Sequence, residues 1–153
     1  MLTLYRFLYI WTVPLLRALL SPVELGAVAI VEQEGKVVLL RQSYTIGWHL
    51  PGGGVNRCEH PAAAVQRELR EEIGLIEAGD PSLFMVSSRR AGLATNVNVV
   101  YRVPNARFAF RPNWEIREVM LADPAAPPDG TTGLARIVLA ELVRRRGADV
   151  PAA

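Results

Sequence analysis

Residues 53–75 read GGVNRCEHPAAAVQRELREEIGL, a stretch in which a glycine-containing loop leads into a helix-forming, acidic segment. Its second half favours a helix, because a proline stands at a suitable first position, a glycine follows the end, and apolar residues recur with helical period. Glu68, Glu71 and Glu72 then lie on one face of that helix. Like charges at this spacing destabilise a helix by about 0.2–0.5 kcal/mol per pair, so the stretch predicts a bound cation.

The type of cation follows from the ligand chemistry. A hard divalent ion, Mg²⁺ or Mn²⁺, suits three carboxylates better than zinc does, because no pair of cysteine or histidine ligands lies nearby. Mg²⁺ is typically held by one or two carboxylates while phosphate oxygens of a substrate complete its coordination shell.

Composition limits the class of protein. The 153 residues are half apolar and 21% charged, as in a globular chain. The single cysteine, Cys58, cannot form an internal disulfide, which fits a reducing compartment and predicts a cytoplasmic protein. The net charge is only +2, and no block of basic residues marks a nucleic-acid surface, so we expect no nucleic-acid duplex as partner.

Residues 1–23 form an apolar extension before the predicted domain at residues 24–153. The uncharged run at 7–16 is too short to span a bilayer. Arg6 and Arg17 lie about three helical turns apart and share one face of a predicted helix. This pattern fits an interfacial helix at a membrane surface, and it fits equally a homodimer arm or a segment packed on the domain's own core.

The remaining pattern predicts an α/β domain with a mixed sheet and a helix on each side. Short apolar or alternating runs predict strands, and period 3.6 predicts helices. The predicted strands are 27–31, 36–40, 48–50, 82–88, 97–103, 107–110 and 115–122, and the predicted helices are 61–73 and 133–146.

One motif in the chain resembles that of a known family. Gly53, Glu59 and the run at 67–75 fill every fixed position of G-x5-E-x7-R-E-U-x-E-E-x-G-U, where U is a bulky aliphatic residue. The stretch therefore resembles the complete box of the Nudix hydrolase family. The resemblance covers about residues 24–147 and implies a Nudix-type α/β/α sandwich that hydrolyses a pyrophosphate bond in a nucleoside diphosphate linked to another moiety.

The resemblance also implies roles for residues of the box. Arg67, paired with Glu59, would orient the acids. Mg²⁺ or Mn²⁺ would neutralise charge on the pyrophosphate and activate a bound water. The implied metal ligands are Gly53, Glu68, Glu71 and Glu72.

Residues outside the box complete the predicted site. In this family the general base is a box glutamate or a glutamate from a later loop, and Glu115 and Glu118 are the candidates in a suitable downstream position, with Glu115 preferred. Three arginines are candidates for gripping substrate phosphates, because a guanidinium binds phosphate in bidentate fashion. They are Arg41, Arg89 and Arg90.

The identity of the substrate stays open at this point. The subgroup signatures of ADP-ribose and dinucleoside polyphosphate hydrolases are absent, since Arg89, Arg90 and Ala91 occupy that region. Aromatic residues beside the predicted strands are candidates either for stacking on a base or for the core. They are Tyr44, Trp48 and Phe84. A non-catalytic nucleotide-binding sensor or scaffold, recruited to a membrane by its first residues, is the alternative function, and the presence of all three helix acids favours the hydrolase.

Overall fold

The computed structural model describes residues 22–92 and 94–148. The chain forms eight strands and two helices over these residues. In chain order they are β1 (Val23–Gln33), β2 (Lys36–Gln42), β3 (Gly52–Gly54), α1 (Pro61–Ile73), β4 (Leu75–Glu77), β5 (Ser82–Ala91), β6 (Ala94–Val103), β7 (Arg107–Phe108), β8 (Ile116–Ala122) and α2 (Gly133–Ala148).

Six of these strands form one mixed sheet. Its order is β5-β6-β1-β2-β8, and β3 pairs with the first half of β1. β1 runs parallel to β6, whereas the pairs β1–β2, β1–β3, β2–β8 and β5–β6 are antiparallel. β4 and β7 form a separate two-stranded ribbon.

The two faces of the sheet carry two separate apolar cores. Alternate residues of β1 and β2 point to opposite faces, because successive side chains of a strand alternate. On one face α1 covers the sheet with Ala64, Val65, Leu69 and Ile73. On the other face α2 contributes Ala135, Val138, Leu139 and Leu142. The predicted α/β/α sandwich with a mixed sheet between helices is therefore confirmed.

Both ends of α1 are fixed by local chemistry. Pro61 begins the helix, and the ring Nδ1 of His60 accepts a hydrogen bond of 3.2 Å from the Ala62 amide. Gly74 ends it with a left-handed backbone (φ 68°), and its amide donates to the carbonyl of Leu69. These termini match the predicted helix. They fix where the helix begins and ends, and therefore on which side of it the carboxylates lie.

The structure corrects two details of the predicted strands. Residues 48–50 do not form a strand, since Trp48 and His49 each make only an isolated bridge. The short strand lies instead at Gly52–Gly54, where glycines allow a close approach to β1. β4 was not predicted. The predicted N-terminal helix lies outside the described residues, and within the described ranges no helix combines the length and the apolar character needed to cross a membrane.

Candidate active site

Arg67 connects the parts of the candidate site. Its guanidinium forms a bidentate pair with Glu59, with Nε to Oε1 at 2.9 Å and Nη2 to Oε2 at 3.0 Å. It also donates to Glu68 Oε1 at 2.6 Å and to the Gly54 carbonyl at 2.9 Å. Hydrogen bonds from Arg67 lower the pKa of Glu59 to about 2. The predicted pair of Arg67 and Glu59 is thus present, and it ties the loop before α1 to the helix.

Gly53 lies directly against the carboxylate of Glu68. A Cβ atom at Gly53 would stand 2.5–2.8 Å from the carboxyl atoms of Glu68, which is closer than a real Cβ approaches. Only glycine therefore lets the β3 backbone and this carboxylate share the space. The arrangement brings the main chain of β3 next to the Glu68 carboxylate, and main-chain carbonyl and carboxylate oxygens are both ligands that hard cations take.

Glu72 is the buried acid of the box, with 3% of its surface exposed. Burial above all, together with the nearby charges of Glu68 and Glu115, raises its pKa to about 8, while a hydrogen bond from the Gly52 amide to Oε2 (2.7 Å) opposes the shift. A carboxyl in this position favours a bound cation, because a cation would offset both the burial and the repulsion.

The loop before β8 brings Glu115 to these acids. The Tyr44 hydroxyl donates to Glu115 Oε1 at 2.7 Å, and the Ser43 amide donates to the Glu115 carbonyl at 2.7 Å. Asn113 Oδ1 accepts from the Glu115 amide at 2.8 Å, and its Nδ2 donates to the Glu71 carbonyl at 3.4 Å. Burial first, then the bond to Glu115, raises the pKa of Tyr44 to about 12. Sequence reasoning missed this use of Tyr44 and Asn113, since no local motif links them.

The carboxylates fit a hard cation by chemistry, although their present contacts are with protein groups. Among residues 22–92 and 94–148, no three acidic, histidine or cysteine side chains stand in an arrangement ready to hold a metal ion. Arg67 donates a hydrogen bond to Oε1 of Glu68, and the Gly52 amide donates one to Oε2 of Glu72. Glu71 is more than half exposed and lies 3.5 Å from Arg67. The two carboxylates near Gly53, Glu68 and Glu72, are therefore the donors that the cation would draw together.

The three candidate arginines lie in different places. Arg41 lies on the α2 side of the sheet, 4.4 Å from the centre of the Trp48 ring, and pairs with Glu118 at 3.4 Å. Arg89 and Arg90 are successive residues of β5, so their side chains point to opposite faces of the sheet. Arg89 is in register with Asn96 and shares its face. The charge of Arg89 also helps lower the pKa of His49, after burial. Arg90 donates to the Gly92 carbonyl at 3.0 Å.

A cleft of about 450 Å³ adjoins the glycine strand β3. Its lining includes the glycines of β3, His49 and, at the start of α2, Leu134. Glu24, Asn96 and Asn98 of β1 and β6 also line it. Sequence reasoning did not single out these three polar residues, because they meet only through the parallel pairing of β1 with β6.

The fold and the box define a class, and comparison with known proteins agrees with it. A family model of the NUDIX domain matches residues 21–138. The chain belongs to the Nudix family.

Curated relatives match a short segment of the chain. RNA pyrophosphohydrolases of Xanthomonas oryzae pv. oryzae (strain MAFF 311018) and Hydrogenovibrio crunogenus are 43% identical over 49 residues and 46% identical over 48. These segments cover 32% and 31% of this chain, and 24% and 29% of the relatives. The chain thus matches less than a third of the length of either relative.

Solved structures match over most of the chain. The MutT NUDIX hydrolase from Burkholderia pseudomallei has a TM-score of 0.71 at 23% identity, over 78% of this chain and 98% of that one. The E. coli ORF135 protein has a TM-score of 0.70 at 23% identity, over 86% of this chain and 95% of that one. At this level of identity the likeness concerns the fold.

Proposed function

We propose that this protein is a Mg²⁺- or Mn²⁺-dependent hydrolase that cleaves a pyrophosphate bond in a nucleoside diphosphate linked to another moiety. The observation that carries the proposal is the convergence of three acids from two distant segments. Glu68 and Glu72 come from α1, and Glu115 comes from a loop more than forty positions later, yet Glu115 and Glu68 both raise the pKa of buried Glu72.

Each residue then has a task in hydrolysis. Glu68, Glu72 and the carbonyl of Gly53 would hold the cation, with Glu71 at the solvent side. Arg67 keeps Glu68 in place and is itself kept by Glu59. When bound, the metal neutralises charge on the pyrophosphate and lowers the pKa of a coordinated water.

Glu115 is the proposed general base. In the reaction a water oxygen forms a bond to phosphorus, the bridging P–O bond breaks, and the water proton passes to the Glu115 carboxylate. Tyr44 and Asn113 hold this loop against the box, so that the carboxylate faces the helix acids. Glu118 is bonded to Arg41 instead.

Among the candidate arginines the geometry favours Arg89 for substrate binding. It shares a strand face with Asn96, which lines the cleft, whereas Arg90 is on the other face and bonds to Gly92. Arg41 is shared between Glu118 and the Trp48 ring.

A substrate screen with matched variants tests the proposal. Nucleoside diphosphate sugars, dinucleoside polyphosphates, nucleoside triphosphates, ADP-ribose and RNA with a 5′-triphosphate are incubated with Mg²⁺ or with EDTA, and phosphate release is measured after phosphatase treatment. The RNA is included because the curated relatives are RNA pyrophosphohydrolases. We expect turnover of at least one class, dependent on Mg²⁺.

The variants separate catalysis from folding. Glu72→Gln should lower kcat by more than about 100-fold, since loss of even a metal ligand's partner costs about 10–100-fold. Glu77→Gln is the control, because Glu77 is an exposed acid paired with Arg107 on the β4–β7 ribbon. Unchanged turnover in Glu72→Gln with an intact circular dichroism spectrum would refute the catalytic role. Binding of nucleotides without turnover of any class would support the sensor alternative.

A further inference from the structure

The cleft beside β3 has a polar floor inside an otherwise apolar sheet face. The parallel register sets Glu24 against Asn96 and Gly26 against Asn98. Residues two apart on a strand share a face, so the four positions form one patch. The same face continues with Val28 and Val100, which belong to the core under α2.

The three polar side chains form a directed chain of hydrogen bonds. A carboxylate only accepts, so Asn96 must turn its Nδ2 toward Glu24, and it donates to Oε2 at 3.3 Å. Its Oδ1 then faces Asn98, whose Nδ2 donates to it. Glu24 thereby fixes the orientation of both amides, and Asn98 must present its carbonyl oxygen on the other side.

That carbonyl oxygen is available in the cleft. Asn98 is 93% buried, and no donor to its Oδ1 is found among residues 22–92 and 94–148. Since no buried side-chain oxygen of these residues lacks a partner, this oxygen reaches the surface of the cleft. A Cβ at Gly26 would stand 2.6 Å from this oxygen and 3.5 Å from the carbonyl of Gly53. The acceptor therefore lies beside the glycine of the Nudix box, in a space that the absence of a side chain at Gly26 leaves open.

We propose that Asn98 determines substrate specificity by accepting a hydrogen bond from an exocyclic amino group of the substrate's nucleobase. The proposal rests on the function proposed above, since it assumes that the pyrophosphate lies at the box and the base in the adjoining cleft. Because Asn98 is recessed in the floor, a group that projects from the ring edge reaches it better than a ring N–H does. A buried acceptor left without its donor is costly, so bases that lack the amine are bound more weakly.

Three pairs of nucleotides test this directly, because the members of each pair differ only by an exocyclic amino group. They are ATP and purine riboside triphosphate, GTP and ITP, and CTP and the triphosphate of 2-pyrimidinone riboside. Equilibrium binding is measured in EDTA, so that no hydrolysis is needed. We expect the amine-bearing member of at least one pair to bind about 10–100-fold more tightly to the natural protein.

Two variants assign the preference to Asn98. Asn98→Ala should abolish the difference in affinity between the two members of that pair, while the affinity for the amine-free member changes by less than about threefold. Glu24→Gln should reduce the ratio of the two affinities, because a glutamine can donate as well as accept and no longer fixes the amides. Glu77→Gln is the matched control and should keep the affinity ratio, because Glu77 lies on the separate β4–β7 ribbon and does not line the cleft.

The outcomes distinguish this inference from the proposed function. If no pair differs in affinity, or if both Asn98→Ala and Glu24→Gln keep the natural ratio, the specificity role of Asn98 is wrong even when hydrolysis is observed. If the ratio is present and depends on Asn98 but no substrate is turned over, the base subsite stands and the hydrolase proposal fails. Glu24→Gln also serves if Asn98→Ala does not fold.

Discussion

Glu72 is the residue of the candidate site whose ionised form is most unfavourable in the folded protein. It is held in the protein interior, its neighbours Glu68 and Glu115 carry the same charge, and hydrogen bonds from the Gly52 amide and the Gln42 side chain offset only part of this cost. Such a group is unfavourable in an isolated domain and favourable once a cation is bound. The residue thus links stability, pH and metal in a way that can be measured without any substrate.

We predict that, without metal, the protein loses stability as pH rises from about 4.5 to about 8. The folded pKa of Glu72 is raised to about 8 from 4.5, so within this window the folded state keeps a proton that the unfolded chain has released. The contribution is complete below the unfolded pKa and lost above the folded one. Urea unfolding in EDTA should show a loss of about 2–4 kcal/mol between pH 5 and pH 8.

Glu72→Gln provides the comparison. Glutamine does not ionise, so the variant should be more stable than the natural protein at pH 8 in EDTA, and Mg²⁺ should stabilise only the natural protein. The difference between the two proteins cancels the opposite contribution of His49, whose pKa is lowered by burial. If the free energy of unfolding depended on pH in the same way in both proteins, the raised pKa of Glu72 would be contradicted.

Tyr44 could position Glu115 or stack on the substrate's base, and Tyr44→Phe distinguishes these two roles. Its hydroxyl holds Glu115, and with a pKa of about 12 it remains a donor throughout the neutral range. Tyr44→Phe should lower kcat about tenfold, as expected for the loss of a hydrogen bond to a charged group, and leave KM nearly unchanged. A change in KM alone, with kcat retained, would instead assign Tyr44 to stacking on the base.

At the scale of elements, the sequence predicts well where local chemistry decides. The helix at 61–73 was predicted to the residue, because a proline and a left-handed glycine mark its ends. β8 was predicted as 115–122 and spans Ile116–Ala122. The short strand was misplaced at 48–50 because Trp48 and Leu50 are apolar, whereas the pairing with β1 is made by glycines that carry no side-chain pattern.

The glycine strand gives a test at this scale. Gly53→Ala should lower kcat by more than about tenfold, because its Cβ would displace the Glu68 carboxylate, which is the movable end of a flexible side chain. Folding stability should change little for the same reason. Steady-state kinetics and urea unfolding measure the two effects.

Gly54→Ala is the matched substitution one residue further. A Cβ there would meet no atom within 4 Å, and the carbonyl that accepts from Arg67 is kept. We expect kcat within about threefold of the natural value. Equal losses in both variants would mean that strand flexibility matters, and not the contact with Glu68.

At the scale of the whole molecule, some residues of the candidate site can be predicted from the sequence and others cannot. The ligands of α1 are neighbours in the chain, and their spacing alone predicts them. Asn98 and Glu24 come to the same patch only because β1 and β6 run parallel, with one helix and four strands between them in the chain. Periodicity cannot specify such a pairing, because it fixes which face a residue takes but not which strand lies beside it.

The division between residues 1–23 and the domain leads to a final prediction. Within residues 22–92 and 94–148, the members of both cores lie between Ala27 and Leu142. Removal of residues 1–20 should therefore leave kcat within about threefold of the natural value, with a cooperative unfolding transition. Loss of folding or hydrolysis in the truncated protein would contradict the proposed boundary.

The same truncation distinguishes the roles proposed for the extension from its sequence. Sedimentation of the natural and truncated chains with anionic and with neutral vesicles reports an interfacial helix, and sedimentation velocity without lipid reports a dimer arm. In the full chain, replacing Arg6 and Arg17 together by glutamine tests the basic face: it should weaken binding to anionic vesicles and not change the oligomeric state. A truncated protein that matches the natural one in both assays but unfolds at lower urea would leave packing on the domain's own core as the role of the extension.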